Sequence, residues 1–210
     1  MVSNANDELP LLEGLDFDLS DAYVLETSAK RDTLVYWLKD SLLYRNDTLA
    51  LKLSYKAIET TGDAIDRTDT LYISSRKRWE NVVKQQRKKF EEDEKAFMRR
   101  AKSLPDYDEE NPPVYTPPTK ELPLRFSGSS SMDLTAVCTF TFDEPLLSVD
   151  TSAVSVELKV DTLWTPVESV LRPDSVNIRK YELYAEWRPE QVYMIKADSA
   201  AFKGLYGGVS

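Results

Sequence analysis

Alternation with a period of two runs through most of this chain. In residues 48–55, Leu49, Leu51, Leu53 and Tyr55 fall on one side and Thr48, Ala50, Lys52 and Ser54 on the other. That is the pattern of a half-buried strand. Residues 33–38, Thr-Leu-Val-Tyr-Trp-Leu, make an apolar strand core, and residues 70–73, Thr-Leu-Tyr-Ile, a closing strand. The intervening Thr60-Thr61-Gly62-Asp63 is turn chemistry, since Gly accepts positive φ and Asp caps turns, so a hairpin is predicted there. Further on, Ala136, Cys138, Phe140 and Phe142 alternate with Thr135, Val137, Thr139 and Thr141. Val154, Val156, Leu158 and Val160 repeat the pattern, as do Tyr181, Leu183, Ala185 and Trp187, then Tyr193, Ile195 and Ala197. Short alternating strands at regular spacing predict a β-sandwich.

The period changes after residue 74. From Arg76 to Lys102 there is no Gly and no Pro. Trp79, Val83, Phe90, Phe97 and Ala101 recur at spacings of four and seven, a narrow stripe along a helix. Ser74 or Ser75 is the expected N-cap. The stripe is too thin for a buried helix, and Trp79, Val83, Phe90 and Phe97 are the residues expected to dock it against something. Residues 104–121 then carry Pro105, Pro112, Pro113, Pro117 and Pro118, which block both helix and central strand. The predicted organisation is a β-sandwich unit over 1–74, a charged helix over 75–103, a Pro-rich acidic linker over 104–121 and a second β-sandwich over 122–210. The fold class is mostly β, two sandwich units joined by one long charged helix.

Charge refines this. The chain has a formal charge of −9, which argues against general binding to nucleic acid or anionic membrane. The helical segment 76–102 is locally basic, with 11 Lys or Arg against 5 Asp or Glu. Arg76, Lys77, Arg78, Lys84, Arg87, Lys88, Lys89, Arg99 and Arg100, with Trp79 and Phe90, could form a nucleic-acid face. A solvated helix with i,i+4 pairs such as Lys88–Glu92 explains the same residues, and no nucleic acid is expected as a partner. No apolar run reaches the ~20 residues of a membrane-spanning helix.

Histidine is absent and Cys138 is the only cysteine. Ser-His-Asp and Cys-His nucleophiles are therefore excluded, as is a zinc site of the usual ligands. Cys138, between Ala136 and Phe140 on an apolar face, reads as a core residue. The acidic run Asp106, Asp108, Glu109 and Glu110 lacks the spacing of a calcium loop and reads as solvated linker. No catalytic, cofactor or metal residue is assigned, and no cofactor is expected.

Three phrases in the last third carry a resemblance: Phe142-Asp143-Glu144-Pro145, Pro189-Glu190-Gln191-Val192-Tyr193 and Gly204-Leu205-Tyr206-Gly207. They resemble the bacterial Ig-like domains of S-layer and surface proteins, which place a Phe-x-x-Pro phrase after an early strand, a Pro-x-x-x-Tyr phrase before a late one and a Gly-rich turn near the end. In physical terms Pro189 sets a turn, Trp187 and Tyr193 point inward on either side, and the Tyr193 hydroxyl bonds back to the corner backbone, the logic of a tyrosine corner. Residues 30–210 more narrowly resemble the Ig-like-domain surface lipoproteins of Bacteroidota, in the phrasing of residues 32–40, 143–145, 161–164 and 198–202.

The resemblance implies export to the cell surface or outer membrane of a Gram-negative bacterium, with a lipid anchor lying upstream of these residues. A piece of a longer protein is expected, because residues 1–74 supply about four or five of the seven strands an Ig-like domain needs. The family also continues past the Gly207 turn into one more strand, without which a sheet edge is left open.

The function expected is non-catalytic: a structural or binding module that spaces or docks other components, with envelope proteins or domains of the same chain as partners. The alternative is carbohydrate binding through surface aromatics, for which Trp37, Trp164, Tyr184 and Tyr206 are the candidates; most aromatics in a small sandwich are core instead.

Overall fold

The computed structural model of the chain describes residues 8–210. It is mostly β, with several antiparallel sheets and two α-helices among the described residues. In chain order the first elements are β1 (Leu11–Gly14), β2 (Tyr23–Thr27), β3 (Leu34–Leu38), α1 (Ser41–Tyr44), β4 (Thr48–Ile58), β5 (Ala64–Ser74) and α2 (Trp79–Ala101). The remainder are β6 (Leu124–Phe126), β7 (Cys138–Phe142), β8 (Leu146–Val149), β9 (Val154–Val160), β10 (Leu163–Val167), β11 (Ser169–Pro173), β12 (Lys180–Ala185), β13 (Tyr193–Ala197) and β14 (Phe202–Gly204). Among the described residues no helix is long and apolar enough to cross a membrane.

The chain gathers into two compact units. One contains Tyr23–Lys39 with Thr119–Ser210; the other contains residues 8–22 with Asp40–Pro118. Composition divides the chain otherwise, keeping 1–74 in a single unit. The β2–β3 hairpin lies within that stretch yet clusters with the C-terminal strands, for the reason given below.

In the unit that includes α2, β4 pairs with β5 along its whole length and with β1 on its other side. The turn between β4 and β5 closes with Gly62 at φ 91°, where any side chain would be strained. Leu49 and Leu51 are buried, on the face that alternation assigns to them. The helix begins at Trp79 rather than at Ser75, and no side chain of its own turn caps it. Its first amide is met from a distance, the Trp79 N–H donating to Asp47 Oδ1 at 3.3 Å. Ser75 instead turns its hydroxyl onto the Lys77 carbonyl at 2.6 Å. At about 1.5 Å per residue the 23-residue helix is roughly 35 Å long. Its charged flank is laced by Lys84–Glu80 at 2.6 Å and Arg87–Glu91 at 3.1 Å, pairs whose exposure limits each to a few tenths of a kcal/mol.

In the C-terminal unit, a four-stranded sheet of order β11-β12-β7-β6 packs on a three-stranded sheet of order β10-β9-β13. The core between them is Cys138, Phe140 and Phe142 from β7, Val154 and Val156 from β9, and Leu183 from β12. Phe202 of β14 completes it, its ring 4.9 Å from Phe142 and 5.4 Å from Phe140. Burial of each such ring stabilises by about 1.5–3 kcal/mol. β14 pairs with β8. Gly204, at the end of β14, lies against the Glu144 and Leu122 side chains, which a Cβ there would have to displace. Gly207 has a φ of 79°. That φ accounts for the second glycine of the Gly204–Gly207 turn.

Candidate functional site

The β2–β3 hairpin is held by an ionic and aromatic latch. Arg179 sits in the turn before β12, and its guanidinium donates to Glu26 of β2 from Nε at 3.0 Å and from Nη2 at 2.9 Å, both to Oε1. The second carboxylate oxygen accepts from the Trp37 indole Nε1 at 2.8 Å. The guanidinium also lies over the Trp37 ring, 5.6 Å from its centroid. The Glu26 side chain is 12% exposed and that of Arg179 29%, so these charge-assisted bonds are largely out of water and are of the strong kind. On the same hairpin Tyr36 packs edge-on against Tyr23, ring centroids 5.0 Å apart. Burial pushes the Tyr36 hydroxyl up from its ordinary pKa.

Local chemistry aims Arg179. Asp174 Oδ1 accepts from the backbone N–H groups of Val176 at 2.8 Å and Asn177 at 2.7 Å, and Oδ2 accepts from Lys180 Nζ at 3.2 Å. Asn177 Oδ1 then accepts from the Arg179 N–H at 3.0 Å. The Asn177 and Val176 amides, joined by Lys180, pull the Asp174 carboxyl down to a pKa of about 2. Sequence spacing gives no sign of the latch, because its two ionic partners are 153 positions apart.

Trp37 also meets Tyr206, ring centroids 6.4 Å apart at an interplanar angle of 43°. Lys120 completes this corner. Its ammonium lies 5.9 Å from the Tyr206 ring centroid and 3.6 Å from Glu144. Glu144 in turn accepts from the Tyr206 N–H at 3.1 Å.

The four residues considered for sugar stacking are thus divided. Trp37 and Tyr206 come together but are tilted, and Trp37 is half-buried. Trp164 and Tyr184 are 40% and 41% exposed. Trp164 is registered with Lys159 on the three-stranded sheet and Tyr184 with Val170 on the four-stranded sheet. Each alternates with inward residues, Val156 and Leu183 among them, so the two rings look out from opposite faces of the packed pair. They cannot share one platform.

The corner residues Trp187, Pro189 and Tyr193 form a compact knot. Tyr193 Oη donates to the Glu186 carbonyl at 3.1 Å and accepts from the Arg188 N–H at 2.8 Å. Trp187 stands perpendicular to the Tyr193 ring at 5.0 Å and 88°. Beside the knot a cleft of about 600 Å³ is bounded by Phe126, the loop 128–134 and residues 187–193 with Ile195.

On α2 the stripe is used in two places. Trp79 packs edge-on against Tyr44 at 6.3 Å, with the Arg45 guanidinium 5.2 Å over its ring. Phe90 and Phe97 receive Tyr115 between them, at 5.3 Å and 5.5 Å. The Pro-rich segment therefore returns along the helix as a strap. Val83 is exposed. Tyr115 was not among the expected site residues; its one sequence signal is an aromatic ring set between prolines.

Cys138 is fully buried, its Sγ 3.5 Å from the Met132 sulfur, and burial pushes the thiol up. Asp108 is occupied locally, accepting from the Glu110 N–H at 2.8 Å.

Comparison with known proteins finds no matching family model, no matching curated protein and no matching solved structure.

Proposed function

We propose that this chain is a non-catalytic structural and docking module of a bacterial cell-surface protein, whose C-terminal unit is an Ig-like β-sandwich. The observation that carries the reading is the Glu26–Arg179–Trp37 latch. It ties an early hairpin to late strands, as a module needs when it must hold its chain segments in a set frame. The aromatic and ionic groups nearest the latch are engaged with one another. The Ig-like assignment is supported by strand order. The sheet β6-β7-β12-β11 matches the A-B-E-D order of a constant-type Ig domain, and β9 beside β13 matches C beside F. The tyrosine corner supports it as well. Placement at the cell surface rests on the resemblance of the three C-terminal phrases.

Carbohydrate binding, the second reading, is favoured by the exposure of Trp164, a single ring on the outer face of β10. The two readings part in one experiment. Native protein is titrated with a panel of bacterial and plant polysaccharides, and Trp fluorescence is followed alongside a Trp164→Ala variant. The docking reading expects no saturable change. Saturable quenching that Trp164→Ala abolishes would replace it with the sugar-binding reading, and turnover of any polysaccharide would replace both.

A further inference from the structure

Among the described residues β5 has β4 on one side and no strand on the other. It is an edge of eleven residues, exposed along most of its length. Long edges are usually blunted by Pro, Lys or a bulge. Residues 64–74 contain no Pro and no Lys, and the register with β4 runs unbroken from end to end. β5 belongs to the unit that does not contain Ser210.

Register decides which backbone groups of β5 are open. The Glu59 N–H donates to the Asp63 carbonyl at 3.0 Å and the Ser75 N–H to the Asp47 carbonyl at 2.8 Å. Arg67, Asp69 and Leu71, in step between those two points, therefore turn their backbone groups to β4. Ala64, Asp66, Thr68, Thr70 and Tyr72 turn theirs outward. An antiparallel twofold pair on this edge must set outward residue against outward residue, so its axis passes through a residue position.

Charge then chooses among the positions. An axis at Asp66, Arg67 or Asp69 sets that residue opposite its own copy, and like charges directly opposite are unfavourable. An axis at Thr70 leaves Arg67 opposite Ile73 and Asp69 opposite Leu71. An axis at Thr68 sets Arg67 opposite Asp69 and Asp69 opposite Arg67, in the closer kind of pair, with Cα atoms about 4.5 Å apart. The like charges of this square lie on its diagonals, about 7–8 Å apart, so the nearer opposite pairs prevail. Ile65 then faces Leu71, and Asp66 faces Thr70, whose neighbour on β4 is Lys52. Within its own chain Asp69 accepts from the Tyr55 hydroxyl at 2.7 Å through Oδ2 alone.

We propose that β5 is a homodimer edge, on which two copies of this chain pair antiparallel about Thr68 and join their sheets. The surface is isologous, one patch serving as its own complement. It uses no residue of the C-terminal strands and stands apart from the docking role proposed above.

The test uses the native chain in sedimentation equilibrium at concentrations up to about 1 mM, where monomer is expected to give way to dimer. As the dimer forms, amide exchange at Asp66, Thr68 and Thr70 should slow by about tenfold or more. Arg67→Asp places like charges in both symmetric pairs and should weaken the dimer about tenfold or more, as should Asp69→Arg. The chain carrying both exchanges restores opposite pairs and should recover the dimer. Thr68→Pro removes an outward donor without touching a β4 bond, and should abolish the dimer while the amide signals of Leu49 and Leu51 report an intact sheet. A monomer at every concentration overturns the proposal, as does a dimer that survives Thr68→Pro. A double exchange that stays monomeric overturns the register. Slow exchange at Asp66, Thr68 and Thr70 in the monomer would show that the chain covers its own edge, and overturns the proposal too.

Discussion

Arg179 holds Glu26 with two nitrogens, at 3.0 Å and 2.9 Å, while Trp37 donates to the same carboxylate. The latch turns a distant hairpin into part of the C-terminal unit. Removing Arg179 leaves a half-buried carboxylate with one donor. Arg179→Ala is expected to cost about 2–4 kcal/mol in urea unfolding. Glu26→Gln keeps one acceptor oxygen for Arg179 but sets an NH2 group against the Trp37 N–H, so it should also destabilise, through loss of the charge and of that indole bond. A double-mutant cycle of Arg179→Ala with Glu26→Ala should show about 1–3 kcal/mol of coupling; additive effects would mean that the pair does not act as one unit.

Tyr193→Phe removes one hydroxyl that both donates to Glu186 and accepts from Arg188, and leaves the Trp187 contact intact. Two neutral hydrogen bonds make the expected loss about 1–2 kcal/mol, a fall in Tm of roughly 2–8 °C. Calorimetry of the two proteins decides it, and an unchanged Tm would deny the corner a stabilising role.

Tyr115→Ala empties the place between Phe90 and Phe97. Each ring pair is worth about 0.5–1.5 kcal/mol beyond its area, so the strap should open locally while the sheets stay folded. Limited proteolysis is expected to cut within 104–118 several times faster. Val114→Ala, at an exposed neighbour, should leave the cutting rate as it was. Equal rates for the wild-type and Tyr115→Ala chains would show that the ring contact does not hold the strap.

Asp174 makes the latch sensitive to acid. Its folded pKa of about 2 lies below the ordinary 3.8, so its contribution to stability is whole above 3.8 and fades as pH falls toward 2. Urea midpoints should therefore drop between pH 4 and pH 2 by more in the wild type than in Asp174→Asn. Parallel curves would show that the turn before β12 does not depend on this carboxylate.

Cys138 is expected to resist thiol reagents in the folded state, since it is 0% exposed and its thiol is held above the ordinary pKa. Colour development with an aromatic disulfide at pH 8 should be slow in buffer and prompt in denaturant. Rapid reaction of the native protein would mean that β7 opens readily.

Much of this protein is a direct consequence of local pattern. Cys138, Phe140 and Phe142 are buried while Thr139 and Thr141 are less so, because adjacent residues of a strand must face opposite ways. The β4–β5 turn, the long helix and the Tyr193 knot rest on interactions within a few residues or across one hairpin, and the chain carries signals for each. Tertiary structure decided the rest. The N-terminal support of α2 comes from Asp47, 32 positions before Trp79, a role that no window around Ser75 contains. The β2–β3 hairpin owes its place to Arg179, and Tyr115 is a site residue only because the strap turns back on the helix. Trp164 and Tyr184 look alike as exposed aromatics in sequence and are set on opposite faces by the sheets they join. Periodicity records which side of an element is apolar. Which partner covers that side, and which edge stays open, depends on contacts between residues far apart in the chain, and these leave no period to read.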